Sequence, residues 1–323
     1  MTISRETETP EPLAHASPSV RRFARELGVD LAKVQGSGAK GRILQEDIKG
    51  YIKIALHTTP RPGSEDNKET PRTGMGWNLP DLPIVDFAAF GPIKIQPLSG
   101  LQRISGPTLH RNALSIPHIT QFDEADITDL ESFRQTVSAS PPPGEIKPRL
   151  TLLVFLMKAM VAVLRRYPTF NASLDRGGEQ LILKDYFHIG VAVDTPNGLV
   201  VPVLRDVDRK GIWDLAIELS VLSEKARARK LQPADIQGGC FTLSSLGGIG
   251  GSHFTPIINV PEVAILGIGR ATMKPVWQNN AFVPRLMLPL SLSYDHRVID
   301  GAAGARFITH LSKLLGDIRH LLL

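Results

Sequence analysis

At 323 residues the chain is longer than one hydrophobic core usually sustains, so one large domain with something smaller beside it is expected. Its 42% hydrophobic and 21% charged residues are ordinary for a globular protein, and a net charge of +5 without any Lys/Arg block interleaved with aromatics argues against nucleic-acid binding. The single cysteine, Cys240, excludes an internal disulfide framework and fits a reducing compartment.

Residues 1–16 are polar and Pro-containing and read as a flexible tail, with no apolar core for a signal peptide. Ser17-Pro18 is a helix start, a capping residue followed by a proline at the first turn. Val20, Phe23, Ala24 and Leu27 then fall on one helical face, and Gly28 is placed to end it. A glycine-punctuated loop follows, and Leu44, Ile48, Tyr51 and Ile52 mark a second helical face. This unit, 17–53, is small enough to be only marginally stable. Arg21, Arg22 and Arg25 lie off its apolar face, with Lys40 and Arg42 in the loop. They suit docking to an acidic protein surface, although composition alone favours a solvated basic face. The GSGAKG loop is no phosphate loop, because no buried strand precedes it and no Lys-Ser/Thr closes it. Residues 54–90, rich in Pro and Gly, read as a mobile linker.

From 91 to 323 the pattern is that of one mixed α and β domain. Leu98–Leu114 reads as a helix carrying Arg103 and Arg111, Pro117–Asp126 as a strand and Ile127–Val137 as a helix. The most apolar run, Leu150–Leu164, is too short to span a bilayer and carries Lys158, so it is a buried helix and no membrane is involved. Two strands, His188–Asp194 and Leu199–Leu204, flank the hairpin signal Thr195-Pro-Asn-Gly198. Gly211–Leu231 is a helix, and Cys240–Ser245 and Val263–Ile268 are strands with the glycine-rich loop Gly247–Gly251 between them. A last helix runs from Gly301.

The stretch Leu286–Gly301 carries the chemistry. Leu286, Leu288, Leu290, Leu292 and Tyr294 alternate with Met287, Pro289, Ser291 and Ser293, the period of a strand with one buried face. The alternation stops at Asp295-His296-Arg297, with Asp300 and Gly301 close behind. An imidazole at the end of a buried strand titrates near neutral pH and can take a proton from a thiol or hydroxyl. On spacing alone a catalytic and a structural role for His296 both remain open. Asp300 could orient this loop by pairing with an arginine, Arg103 being a candidate. Ser244, ending a strand before a run of glycines, could donate to an oxyanion, act as a nucleophile, or only satisfy the strand end. No G-x-S-x-G elbow supports a hydrolase, and no spacing of His, Cys and carboxylates suggests a metal.

Taken together these pieces resemble a known family. Asp295-His-Arg-Val-Ile-Asp-Gly-Ala302 is similar to the D-H-R-x-x-D-G-A signature of the dihydrolipoamide acyltransferases, core components of 2-oxo-acid dehydrogenase complexes. Phe241-Thr-Leu-Ser-Ser-Leu-Gly-Gly and Pro261-Glu-Val-Ala-Ile-Leu-Gly-Ile-Gly resemble further family segments. Pro18–Asp30 with Gln35–Arg42 resembles the family's peripheral subunit-binding domain. Ile116–Asp123 and Pro284–Pro289 look most like the acetyltransferase branch serving bacterial pyruvate dehydrogenase.

The resemblance implies an α+β catalytic domain like that of chloramphenicol acetyltransferase, forming trimers, behind a small helical subunit-binding domain. It implies acetyl transfer between dihydrolipoamide and coenzyme A, with succinyl or branched acyl transfer, or a non-catalytic scaffold, as alternatives. His296 would deprotonate the attacking thiol, Ser244 of a neighbouring subunit would bond the oxyanion, and Asp300 would hold the loop. Arg21, Arg22, Arg25 and Arg42 would grip the partner enzymes, a 2-oxo-acid decarboxylase and dihydrolipoamide dehydrogenase. Trimers would assemble into a cubic core in preference to a dodecahedral one, in the bacterial cytoplasm. No lipoyl domain is found, so the lipoyl group is expected from a domain outside this chain, whether the chain is a fragment or the group is delivered in trans.

Overall fold

Two separate apolar clusters organise the chain, one drawn from 15–57 and one from beyond residue 88. In the computed structural model residues 15–57, 85–140 and 149–322 are described, and the chain divides into two units, Met1–Phe87 and Ala88–Leu323. The expected tail to residue 14 and most of the expected linker, 58–84, lie outside the described residues.

In the first unit, α1 (Pro18–Glu26) starts where Ser17 Oγ accepts from the Val20 amide at 3.4 Å. α2 (Gln45–His57) closes over it, and Val20, Ala24, Val34, Ile43 and Ile48 form the core. Leu27 and Leu44, expected on the apolar faces, sit at the C-cap of α1 and just before α2, and are 47% and 41% exposed. The loop between the helices demands glycine, since a Cβ on Gly36 would lie 2.4 Å from the Gly41 carbonyl oxygen. Asp47 ties this loop to α2 by accepting from the Ser37 hydroxyl (2.6 Å) and from the Ser37 and Leu44 amides (3.0 and 2.8 Å). These bonds, the Ser37 hydroxyl first, hold its carboxyl below the usual range.

The second unit runs α3 (Gly100–Ser115), β1 (His118–Asp126), α4 (Thr128–Ala139), α5 (Leu152–Arg166), β2 (Ala172–Leu174), β3 (Leu181–Leu183), β4 (Ile189–Val191), β5 (Val193–Thr195), β6 (Gly198–Val200), β7 (Val203–Leu204), α6 (Ile212–Arg227), β8 (Phe241–Ser245), β9 (Ala264–Ile268), β10 (Thr272–Gln278), β11 (Ala281–Asp295) and α7 (Gly301–Gly316). The main sheet has the order β1-β11-β9-β8-β4-β7, with β10 paired to the free-standing half of β11. β4, β8 and β9 run parallel, whereas β11 is antiparallel to β9 and β1. This is an α+β unit with a mixed sheet.

The two strands expected around Thr195–Gly198 are each divided. β5 and β6 make the hairpin, while β4 and β7 pair in the main sheet. Pro202, which has no amide hydrogen, stands where the return strand would continue its ladder, and its carbonyl instead accepts from Val191 (2.9 Å). β11 is also longer than its leucine alternation, because Asn279 and Asn280, with φ of 49° and 61°, turn β10 tightly into it.

One face of the sheet is dry. Phe241 and Leu243 of β8 and the Leu288, Leu290, Leu292 and Tyr294 row of β11 join the cluster with α5 and α7, and Phe307 stacks on Phe170 at 4.0 Å between ring centres. The opposite face carries Thr242, Ser244, Ser291, Ser293 and Thr120, with Thr120 and Ser293 hydroxyls 2.7 Å apart. On that face a Cβ at Gly267 would meet the Phe254 ring at 2.8 Å, so the glycine makes room for the aromatic over the sheet.

Candidate active site

β11 delivers its last residue, Asp295, buried to 2% exposure, against the start of β9, where its amide bonds the Val263 carbonyl at 2.9 Å. The carboxylate then grips the next turn. It accepts from the Arg297 amide (3.0 Å), from Nε (2.9 Å) and from Nη2 (2.6 Å), a two-pronged pair of fixed geometry. The Asp295 carbonyl accepts from both Val298 and Ile299 at 3.0 Å, and the His296 amide bonds Pro117 O at 3.1 Å. Every backbone amide from His296 to Ile299 is therefore held, and the His296 side chain projects from the turn into the open. Its imidazole has no hydrogen-bond partner among the described residues; the nearest ring is Tyr294, at 6.1 Å between centres.

Asp300 closes the turn from the other side. It is the N-cap of α7, its Oδ1 accepting from the Ala303 amide at 2.7 Å. α7 in turn is clamped to the sheet: Gln121 Nε2 donates to the Gly301 carbonyl at 2.9 Å, and a Cβ at Gly304 would lie 2.7 Å from the Tyr294 ring. His296 is thus hung between a strand end and a helix start, both fixed. Arg103 lies on α3, exposed, and among the described residues it forms no ion pair with Asp300, whose carboxylate is instead engaged in capping.

Ser244 occupies the other end of the sheet. It pairs with Gly267 on β9, which pairs with Ser291 on β11, and Asp295 lies four residues further on. At about 3.3 Å per residue the end of β11 is roughly 13 Å beyond the level of Ser244, before the two strand spacings between them are added. The Ser244 hydroxyl is half-buried and has no hydrogen-bond partner among the described residues. Within one chain, then, His296 and Ser244 do not meet.

Several residues that shape the site have little sequence signal. Gln121, Gly304 and Phe254 act through strand order, which no local pattern encodes. Asp295 and Arg297 could have been found, since an acid and a base two apart at a strand end can pair across a turn. His118 has both ring nitrogens occupied, by Ile116 O (2.8 Å) and the Ile258 amide (3.0 Å), which fixes it as a structural histidine beside the turn. Glu262, one residue before Val263, is buried, and burial pushes its carboxyl up to about 7.

In the first unit Arg21 Nε donates to the Ala16 carbonyl (3.3 Å) and Arg22 pairs with Glu26 (3.1 Å), while Arg25 and Arg42 are exposed.

Residues 91–323 match the family described as 2-oxoacid dehydrogenases acyltransferase (catalytic domain), and residues 14–49 match the e3 binding domain. The chain belongs to the 2-oxoacid dehydrogenase acyltransferase family. It is 52% identical over 311 residues to the dihydrolipoyllysine-residue acetyltransferase component of pyruvate dehydrogenase complex from Haemophilus influenzae, covering 96% of this chain and 55% of that one. The component of the same name from Cupriavidus necator is 53% identical over 310 residues, again 96% of this chain and 55% of the relative. The chain therefore spans about half the length of these curated relatives. Among solved structures, the Azotobacter vinelandii dihydrolipoamide acetyltransferase, studied for a serine, a histidine and an asparagine in its catalytic mechanism, is 54% identical at a TM-score of 0.73. It covers 76% of this chain and is itself covered in full. A cubic core of the pyruvate dehydrogenase multienzyme complex matches with a TM-score of 0.72, 54% identity and the same coverage.

Proposed function

We propose that this chain transfers an acetyl group between dihydrolipoamide and coenzyme A, as the catalytic core of a pyruvate dehydrogenase complex. His296 removes the proton from the attacking thiol. The thiolate adds to the thioester carbonyl, and the oxyanion of the tetrahedral intermediate accepts a hydrogen bond from the Ser244 hydroxyl of a neighbouring copy. Collapse expels the second thiolate, which takes the proton back from the imidazolium. Asp300 caps α7 and so holds the turn, with Asp295 and Arg297 locking it from the strand side.

The observation that carries this reading is the placement of two unpartnered groups, His296 and Ser244, at opposite ends of one sheet, so that each needs a second copy to complete it. The names of the relatives support the acetyl group. The serine and histidine studied in the Azotobacter enzyme stand at the same separation in sequence as Ser244 and His296, and its asparagine stands where Asp300 does.

The same reading covers the rest of the chain. Residues 17–53 dock dihydrolipoamide dehydrogenase and the decarboxylase through Arg21, Arg22, Arg25 and Arg42, 54–90 link, and 91–323 catalyse. Trimers assemble into a cubic core in the cytoplasm, with the lipoyl group brought by a lipoyl domain beyond these residues and Arg103 free to meet a carboxylate of another subunit.

Thioester exchange between dihydrolipoamide and acetyl-, succinyl- and isobutyryl-CoA tests it. Acetyl-CoA should be the preferred donor, and His296→Ala should lower turnover by about 10²–10⁴. Ser244→Ala should lower it by about 10²–10³. Wild-type exchange by His296→Ala would remove the base from the mechanism.

A further inference from the structure

On the face of α5 and α7 turned from the sheet lies a shallow pocket of about 430 Å³. Arg166 and Tyr167 come to it from the end of α5, and Arg306, Thr309, His310 and Lys313 from one face of α7. No carboxylate lines it. Spacing on α7 of three, four and seven residues from Arg306 puts the last three of these on a single stripe with it. Cations at the last turn of a helix ordinarily complement its dipole, which accounts for Arg166 and Lys313. It does not account for Arg306 and His310, which sit within α7.

The charges are also unspent. Neighbouring Arg165 is committed to Asp208 (3.2 Å) and lies over the Phe187 ring at 5.2 Å. Arg166, Arg306 and Lys313 form no ion pair among the described residues. The His310 Nδ1 is buried and has no hydrogen-bond partner there, although the ring packs edge-on to Tyr167 at 5.8 Å. A concave surface with three unpaired cations and a hydroxyl is complementary to an anion of high charge density.

We propose that this pocket binds a small molecule bearing two or more phosphate charges, gripped by Arg166, Arg306 and Lys313 and hydrogen-bonded by Thr309 and His310. The volume exceeds what a phosphate group alone fills and lies within the range of small-ligand pockets. The site is independent of the acyl-transfer reading and uses none of its residues.

Binding is coupled to a proton. Burial first, then the Arg166 and Lys313 charges, push the His310 pKa down, so its ring favours the neutral form. Of the groups facing it, Arg166 and Tyr167 come from α5 and Arg306 and Lys313 from α7, and none is an acid. A bound phosphate cancels the cationic repulsion and favours the imidazolium, so the ring's share of the affinity grows as pH falls into the range where it takes up a proton.

The test is calorimetric titration of the full chain, in its native assembly, with inorganic pyrophosphate and separately with ADP. Saturable binding of either, weakened about tenfold or more in Arg166→Gln/Lys313→Gln, supports the site. A preference for ADP assigns the phosphates to a nucleotide, and a preference for pyrophosphate assigns them to the inorganic anion. His310→Gln should flatten the pH dependence while retaining binding. Arg166 and Lys313 are exposed on their helices, and unchanged circular dichroism and thioester exchange verify that the fold of each variant is intact. No saturable binding of either anion, or affinity equal in the parent and the double variant, overturns the proposal.

Discussion

Asp295 is the buried anchor from which the histidine turn hangs. Its carboxylate satisfies three donors of Arg297 and is almost fully removed from water, so truncation leaves a gap at the strand end and releases the exposed Arg297 side chain, with its turn, to solvent. Asp295→Ala is expected to cost about 1–3 kcal/mol of stability and to lower turnover with little change in KM. Denaturant unfolding and steady-state thioester exchange measure the two effects. Glu262 makes a second prediction at this scale. Its carboxyl titrates at about 7 in the fold against an ordinary 4.5, and the Lys184 amine nearby offsets only part of the burial. A folded value above the unfolded one means that its contribution is fully present below pH 4.5 and is lost as pH rises through 7. The parent should therefore lose about 3 kcal/mol across that window, and Glu262→Gln should flatten the profile of melting temperature against pH. An unchanged slope in the variant would show that the carboxyl is not the titrating group.

At the level of elements, α7 and β11 act as one rigid piece, and Gly304 is where they touch. A methyl there would sit 2.7 Å from the Tyr294 ring and 2.8 Å from Gln121 Oε1, so Gly304→Ala must push the helix off the sheet. Overpacking of this kind costs about 1–3 kcal/mol, and it should also slow exchange, because Asp300 moves with the helix. A variant with parent stability and rate would separate α7 from the site. Much of this level was legible in the sequence, and the reasons are physical. The leucine row of β11 has one dry face and so writes a period of two; α5 is buried nearly all round and so reads as an apolar helix. β10 left no such trace. Thr272–Gln278 carries Lys274 and Pro275 and is half-exposed on both faces, and only Asn279-Asn280, a pair that tolerates positive φ, marks its turn. The division of β4 from β5 was hidden for a related reason, since it depends on where Pro202 falls across the ladder and not on the local apolar pattern.

For the whole molecule, the decisive fact is the strand order. The sequence placed His296 and Ser244 at the ends of strands, and both are there. That the ends are opposite ones follows from β11 running against β8 and β9, which is a property of topology and invisible in either segment. One copy also leaves apolar surface open: Ile93, Ile95, Leu98 and Ile104 are between 55% and 87% exposed along the approach to and start of α3. A surface of that kind is suited to a neighbouring copy, and closed rotational symmetry would bring the far end of one sheet to the near end of the next.

The most direct measurement is complementation between two inactive variants. His296→Ala and Ser244→Ala are each purified, then unfolded and refolded together so that their subunits mix, and thioester exchange is compared with that of each variant refolded alone. With histidine and serine supplied by different copies, random mixing restores both groups at about one interface in four, and activity should recover to about a quarter of the parent. Exchange that stays at the level of the separate variants, in a mixture verified to contain both subunits in one assembly, would contradict the account.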